Sequence, residues 1–70
     1  MKPRIKFGDV LIFSEEWYKY SDTEPLPKPV KFLATGKIKE EPVGHYILYV
    51  VKENSSYIQH YYHGFLKQVS

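Results

Sequence analysis

His45-Tyr46-Ile47-Leu48-Tyr49-Val50-Val51-Lys52 is the stretch that decides the fold. It is β-branched or aromatic almost throughout, and such side chains suit a pleated, half-buried surface better than a helix. Glu53-Asn54-Ser55-Ser56 follows with the polar composition of a hairpin loop. Tyr57-Ile58-Gln59-His60-Tyr61-Tyr62-His63 then returns, so the two runs predict an antiparallel hairpin. Gly64 breaks the second run, and residues 65–69 predict a short turn and a last strand.

Working outward, two more strand regions come into view. Ile5-Lys6-Phe7-Gly8-Asp9-Val10-Leu11-Ile12-Phe13 reads as strand, tight turn, strand, with Gly8 free to take a positive φ. Val10 and Ile12 would face one side, Leu11 and Phe13 the other. Val30-Lys31-Phe32-Leu33-Ala34-Thr35-Gly36-Lys37-Ile38 alternates in the same way, and Gly36 is expected to bend or bulge it. Residues 39–44 close that strand as a loop. Between these regions, residues 14–29 form a long connection holding Trp17, Tyr18 and Tyr20, four acids, and Pro25, Pro27 and Pro29. The alternate prolines exclude helix there, since each removes a donor and restrains its predecessor. Ser14-Glu15-Glu16-Trp17 could open one helical turn, with Ser14 as N-cap and Trp17 at the third helical position.

Seventy residues predict a single domain, residues 1–70, of all-β class. Five short strands, a long first loop and a break before the last strand resemble an SH3-like barrel, with an OB-like barrel as the alternative. SH3-like barrels are an architecture shared by many unrelated families, so the resemblance implies a shape and no activity. The chain has no cysteine, so no disulfide or thiolate site can staple so small a core. That absence, with no apolar run near the length of a membrane span and no leader-like N-terminus, predicts a cytoplasmic protein with no membrane partner.

Two enzyme families share pieces of the pattern. Residues 8–13 followed by Lys28-Pro29-Val30-Lys31-Phe32-Leu33 resemble the start of MazF-type toxins, small SH3-like ribonucleases. Lys28 stands where that family has an arginine, and the family's Ser/Thr nucleophile region has no counterpart. Residues 8–13, then Gly44-His45-Tyr46-Ile47-Leu48-Tyr49-Val50, then Tyr57-Ile58-Gln59-His60 resemble the strands of NlpC-type peptidases. Without a cysteine there is no thiolate to run that chemistry. No phosphate-binding glycine loop, catalytic carboxylate pair or Ser-His-Asp set is legible. His60 and His63, three apart on a strand, point to opposite faces, and no cysteine joins them or His45. The sequence therefore predicts no catalytic residue, no metal and no cofactor.

What remains is binding. Seven tyrosines, four phenylalanines and one tryptophan are more aromatic surface than a small core can hide. Tyr and Trp are favoured at interfaces for their rigid area and polar tips. The expected role is a small protein-binding module or regulator acting through Trp17, Tyr18, Tyr20, Tyr57, Tyr61 and Tyr62. Trp17 and some tyrosines could instead fold back as lids on the core. A second reading is a weak nucleic-acid binder. Lys2, Arg4 and Lys6 alternate with Pro3, Ile5 and Phe7, and Lys31, Lys37 and Lys39 could join them. The net charge of +2 is small, and the acids of the first loop oppose that reading. A third is an accessory subunit or homodimer pairing through residues 57–63, a strand without charge if its histidines are neutral.

Overall fold

Alternating side chains build most of this molecule. A computed structural model describes residues 2–69. Its elements are β1 (Val10–Phe13), α1 (Glu15–Ser21), β2 (Phe32–Glu41), a one-turn helix η1 (Pro42–Gly44), β3 (His45–Lys52), β4 (Ile58–Tyr62), a second one-turn helix η2 (His63–Phe65) and β5 (Leu66–Gln68). The strands form one antiparallel sheet in the order β4-β3-β2-β1-β5.

The register fixes which parity faces inward. Ala34 pairs with Val50 and Val50 with Gln59; Ile38 pairs with Leu48 and Leu48 with Tyr61. Leu11, Phe32, Ala34, Leu48, Val50 and Leu66 make the buried core, and Ile5, Phe13, Val30, Ile38 and Tyr61 pack around it. Gly36 sits at φ +87° in the irregularity between Ala34 and Ile38, as its place in the sequence led one to expect. A Cβ there would lie in ordinary contact with Phe7, 3.4 Å from its backbone nitrogen, so the N-terminal segment runs beside β2 and the positive φ is what favours glycine.

Four expectations need correction. No ladder joins β4 to β5, so the sheet is not closed into a barrel. Side chains fill the gap instead: Trp17 lies edge-on to Tyr61 at 5.8 Å and to Phe65 at 5.4 Å. The segment before Gly8 is not a strand. The Asp9 carboxylate takes the Lys6 N–H at 2.8 Å and turns the chain, so the ladder starts at Val10. The single helical turn expected after Ser14 is a seven-residue helix. Glu15 and Glu16 favour its positive end, and Asp22 caps it in the left-handed region, its N–H bonded to the Tyr18 carbonyl. Finally, β2 continues through Glu41 because Lys39, Glu40 and Glu41 stay paired with Ile47, Tyr46 and His45 until Pro42 ends the ladder.

Val43, at the tip of the β2–β3 turn, is β-branched yet held at φ 64°, ψ 29°, and it is 88% exposed. Nothing packs on the side chain to offset a left-handed cost of roughly 1–2 kcal/mol. Val43→Asn, which tolerates that conformation, is expected to raise stability by about 1 kcal/mol. A higher urea midpoint at unchanged slope would show it.

Candidate functional site

A surface shaped for binding lies between α1 and the proline-rich segment after it. Ser14 positions the helix. Its backbone is extended at the N-cap, its N–H bonds the Phe65 carbonyl at 2.8 Å, and its hydroxyl donates to the Gly64 carbonyl rather than capping the helix. The helix is thereby tied to η2. Trp17 then stacks on Phe13 with ring centroids 4.4 Å apart and planes 13° from parallel. Tyr18, the next residue and about 100° further round the helix, meets Phe13 edge-on at 6.3 Å.

An open apolar cleft of about 270 Å³ results, with Phe13, Trp17, Tyr18, Leu26 and Val30 as its lining and Thr23 and Glu24 at its rim. A second hollow of about 180 Å³ shares Phe13, Tyr18 and Leu26 with the first and reaches Pro25, Pro29, Glu15 and Lys67. Leu26, between them, is 59% exposed. At the edge of the second hollow Lys67 donates to Glu15 at 2.8 Å, which holds the Glu15 carboxyl below its usual range.

The six aromatic residues singled out from the sequence do not form one surface. Trp17 and Tyr18 line the cleft. Tyr20 lies beside Phe65 at 4.9 Å, away from it. Tyr61 packs under the sheet against Phe13 and Phe32, its hydroxyl donating to the Gln59 side chain at 2.8 Å. Tyr62 meets Phe65 at 5.4 Å and His45 at 5.3 Å. Tyr57 stands apart at the hairpin, 78% exposed. Leu26 and Val30 were missed as cleft residues. Leu26 showed only apolar character inside a proline-rich loop, and Val30 was read as the start of a strand that begins instead at Phe32.

The basic residues are divided too. Lys2, Arg4 and Lys6 are exposed on the N-terminal segment, and Lys31, Lys37 and Lys39 are exposed on or just before β2. Lys37 sits over the Tyr49 ring at 4.7 Å, and Lys39 pairs with Glu41 at 3.4 Å. Lys28 is an exposed loop residue. The histidines are dispersed: His45 beside Tyr62, His60 beside Tyr49, and His63 beside Tyr46. Among the described residues no three of His, Cys, Asp and Glu group as metal ligands, and no helix is long and apolar enough to cross a membrane. The chain matches no protein-family model, and comparison with curated proteins and with solved structures finds no match.

Two predictions follow from this packing. Trp17→Ala removes the stacked lid and is expected to cost about 2–4 kcal/mol, read as a lower urea midpoint. Tyr46 and Tyr61 have phenol pKa values raised above the ordinary 10.0, chiefly by burial, with Glu40 adding its charge at Tyr46. Their contribution to stability is complete below pH 10.0 and is lost as pH rises through their raised folded values. The thermal midpoint should therefore fall above pH 10.0, and Tyr46→Phe should make that fall shallower.

Proposed function

We propose that this chain is a small non-enzymatic binding module that seats an apolar side chain of a protein partner in the cleft between α1 and residues 23–30. The observation that carries this reading is the open cleft itself, with aromatic walls and an exposed Leu26 but no convergent set of catalytic groups. Glu24 stands at its rim, and Glu15, paired with Lys67, at the edge of the second hollow. Acidic rims steer basic partners and set their register more than they add affinity. The partner is thus a segment with an apolar anchor flanked by Lys or Arg. Trp17 acts here as wall and lid, and Tyr18 as the contact.

The strand order, with a one-turn helix before the last strand, supports an SH3-like assignment for the open sheet. The cytoplasm is the compartment a Cys-free chain fits, and a regulatory or inhibitory role is one such a module can fill. The second reading, nucleic-acid binding, is favoured by one contact: the approach of Phe7 to Gly36 brings the basic N-terminal segment beside the β2 lysines.

A random peptide library displayed on phage, selected on the wild-type chain and counter-selected on Leu26→Asp, tests the first reading. Enriched peptides should carry an apolar residue beside Lys or Arg and bind the folded variant at least tenfold more weakly. Absence of enrichment would count against it. Amide shifts on residues 2–7 and 31–39 with a mixed single-stranded oligonucleotide, lost at high salt, would put the second reading in its place.

A further inference from the structure

The sheet has two edges, and they are built differently. β5 is three residues long and centred on Lys67, which Glu15 holds at 2.8 Å; Gln68 is tied to Asp9 at 2.8 Å. Short length and charge are how natural sheets prevent pairing at an edge. β4 is five residues long, Ile58-Gln59-His60-Tyr61-Tyr62, with no acidic residue, lysine, arginine or proline. All five pair with β3, and among the described residues no strand lies on the other side. In an antiparallel ladder, alternate residues aim their N–H and C=O groups away from the neighbour. β4 therefore presents a row of free backbone donors and acceptors.

The face above that edge carries apolar rows, with Lys37 over the Tyr49 ring and Lys39 paired with Ile47 at their β2 end. Away from the core, Leu33 pairs with Val51 and Val51 with Ile58, making one row across three strands. Tyr49 with His60, and Ile47 with Tyr62, make the next two. Ile58 is 66% exposed and its neighbour Tyr57 is 78% exposed, although both border the open edge.

We propose that β4 pairs antiparallel with β4 of a second copy of this chain, about a two-fold axis at His60. The strand is suited to itself in that register. Ile58 falls opposite Tyr62 of the second copy, an aromatic–β-branched pair of the kind that stabilises sheets. Gln59 falls opposite Tyr61, and no lysine, arginine or acid meets its like. The Leu33–Val51–Ile58 row of one copy then runs into the Tyr62–Ile47 row of the other. A stable pair buries roughly 600 Å² or more on each side, about a ninth of the 5394 Å² that this chain exposes. An isologous contact of this kind closes on itself and stops at two chains. The inference is independent of the cleft, since no residue lining either hollow lies on β4.

Absence of cysteine makes the register directly testable. Directly opposite residues have Cα atoms about 4.5–5.5 Å apart, within the range a disulfide spans. Under mild oxidation His60→Cys should form a covalent dimer at least tenfold faster than Val43→Cys, an equally solitary thiol on the β2–β3 turn. Wild-type chain should sediment as a dimer whose fraction rises with concentration, and Ile58→Lys, with an unchanged circular dichroism spectrum, as a monomer. Wild-type chain that stays monomeric at about 1 mM, weaker than most specific pairs, would overturn the inference. Equal cross-linking of the two cysteine variants would overturn it as well.

Discussion

The rest of the structure depends on one ring. Phe13 ends β1, and its ring meets Trp17 at 4.4 Å, Phe32 at 5.0 Å and Tyr61 at 5.4 Å. It thus joins the helix, the buried core and the far edge of the sheet. A chain of 70 residues buries only roughly 60% of its unfolded surface, and here no ladder closes β4 onto β5 to seal the inner face. Aromatic contacts that add about 0.5–1.5 kcal/mol each beyond the area they bury are a substitute for the missing closure. Ser14 makes that substitute geometrically reliable. Its two bonds to the Gly64 and Phe65 carbonyls hold the start of α1 against the turn into β5, and the Trp17 ring is set against Phe13, Tyr61 and Phe65.

This arrangement couples stability to the candidate site. Trp17 is both the plug of the open side and a wall of the cleft, so changes at that residue cannot report on binding alone. Tyr18 and Leu26 give the cleft shape from outside the core cluster, whereas Val30 packs against it. Leu26, exposed in the proline-rich connection, is therefore the residue that best separates function from folding. The connection's prolines hold an extended path with few donors to satisfy, which is how a long connection can remain ordered across an apolar hollow.

How much of this was legible in the sequence follows from where period-2 alternation applies. β3 runs over the residues its β-branched and aromatic content indicated, His45–Lys52, and the bulge falls at Gly36. Both are local properties. The tyrosines are another matter. Tyr61 and Tyr62 are neighbours of one chemical type, yet one lies beneath the sheet and the other above it, because Leu48 rather than Ile47 belongs to the core. That choice is set by all five strands together. α1 was foreshadowed only by Ser14 and the two acids, since seven residues are too few to show a helical period. The N-terminal strand failed for a local reason of a different kind: the Asp9 side chain competes for the Lys6 N–H that a ladder would need.

Charge then decides how the surfaces divide. The net +2 describes no particular face: four acids lie on α1 and the loop after it, three basic residues lie on the N-terminal segment, and β2 carries Glu40 and Glu41 beside Lys37 and Lys39. The molecule measures 33 × 25 × 23 Å, and charges in cellular salt are screened over about 8 Å. Each group is therefore felt mainly by what touches it. A polyanion drawn to the lysines gains little from the whole molecule's charge, and a basic segment at the cleft is not repelled by it. β4, an edge strand carrying no lysine, arginine or acid of its own, offers backbone groups and apolar area in place of charge. One small domain can in this way keep separate surfaces for different kinds of neighbour.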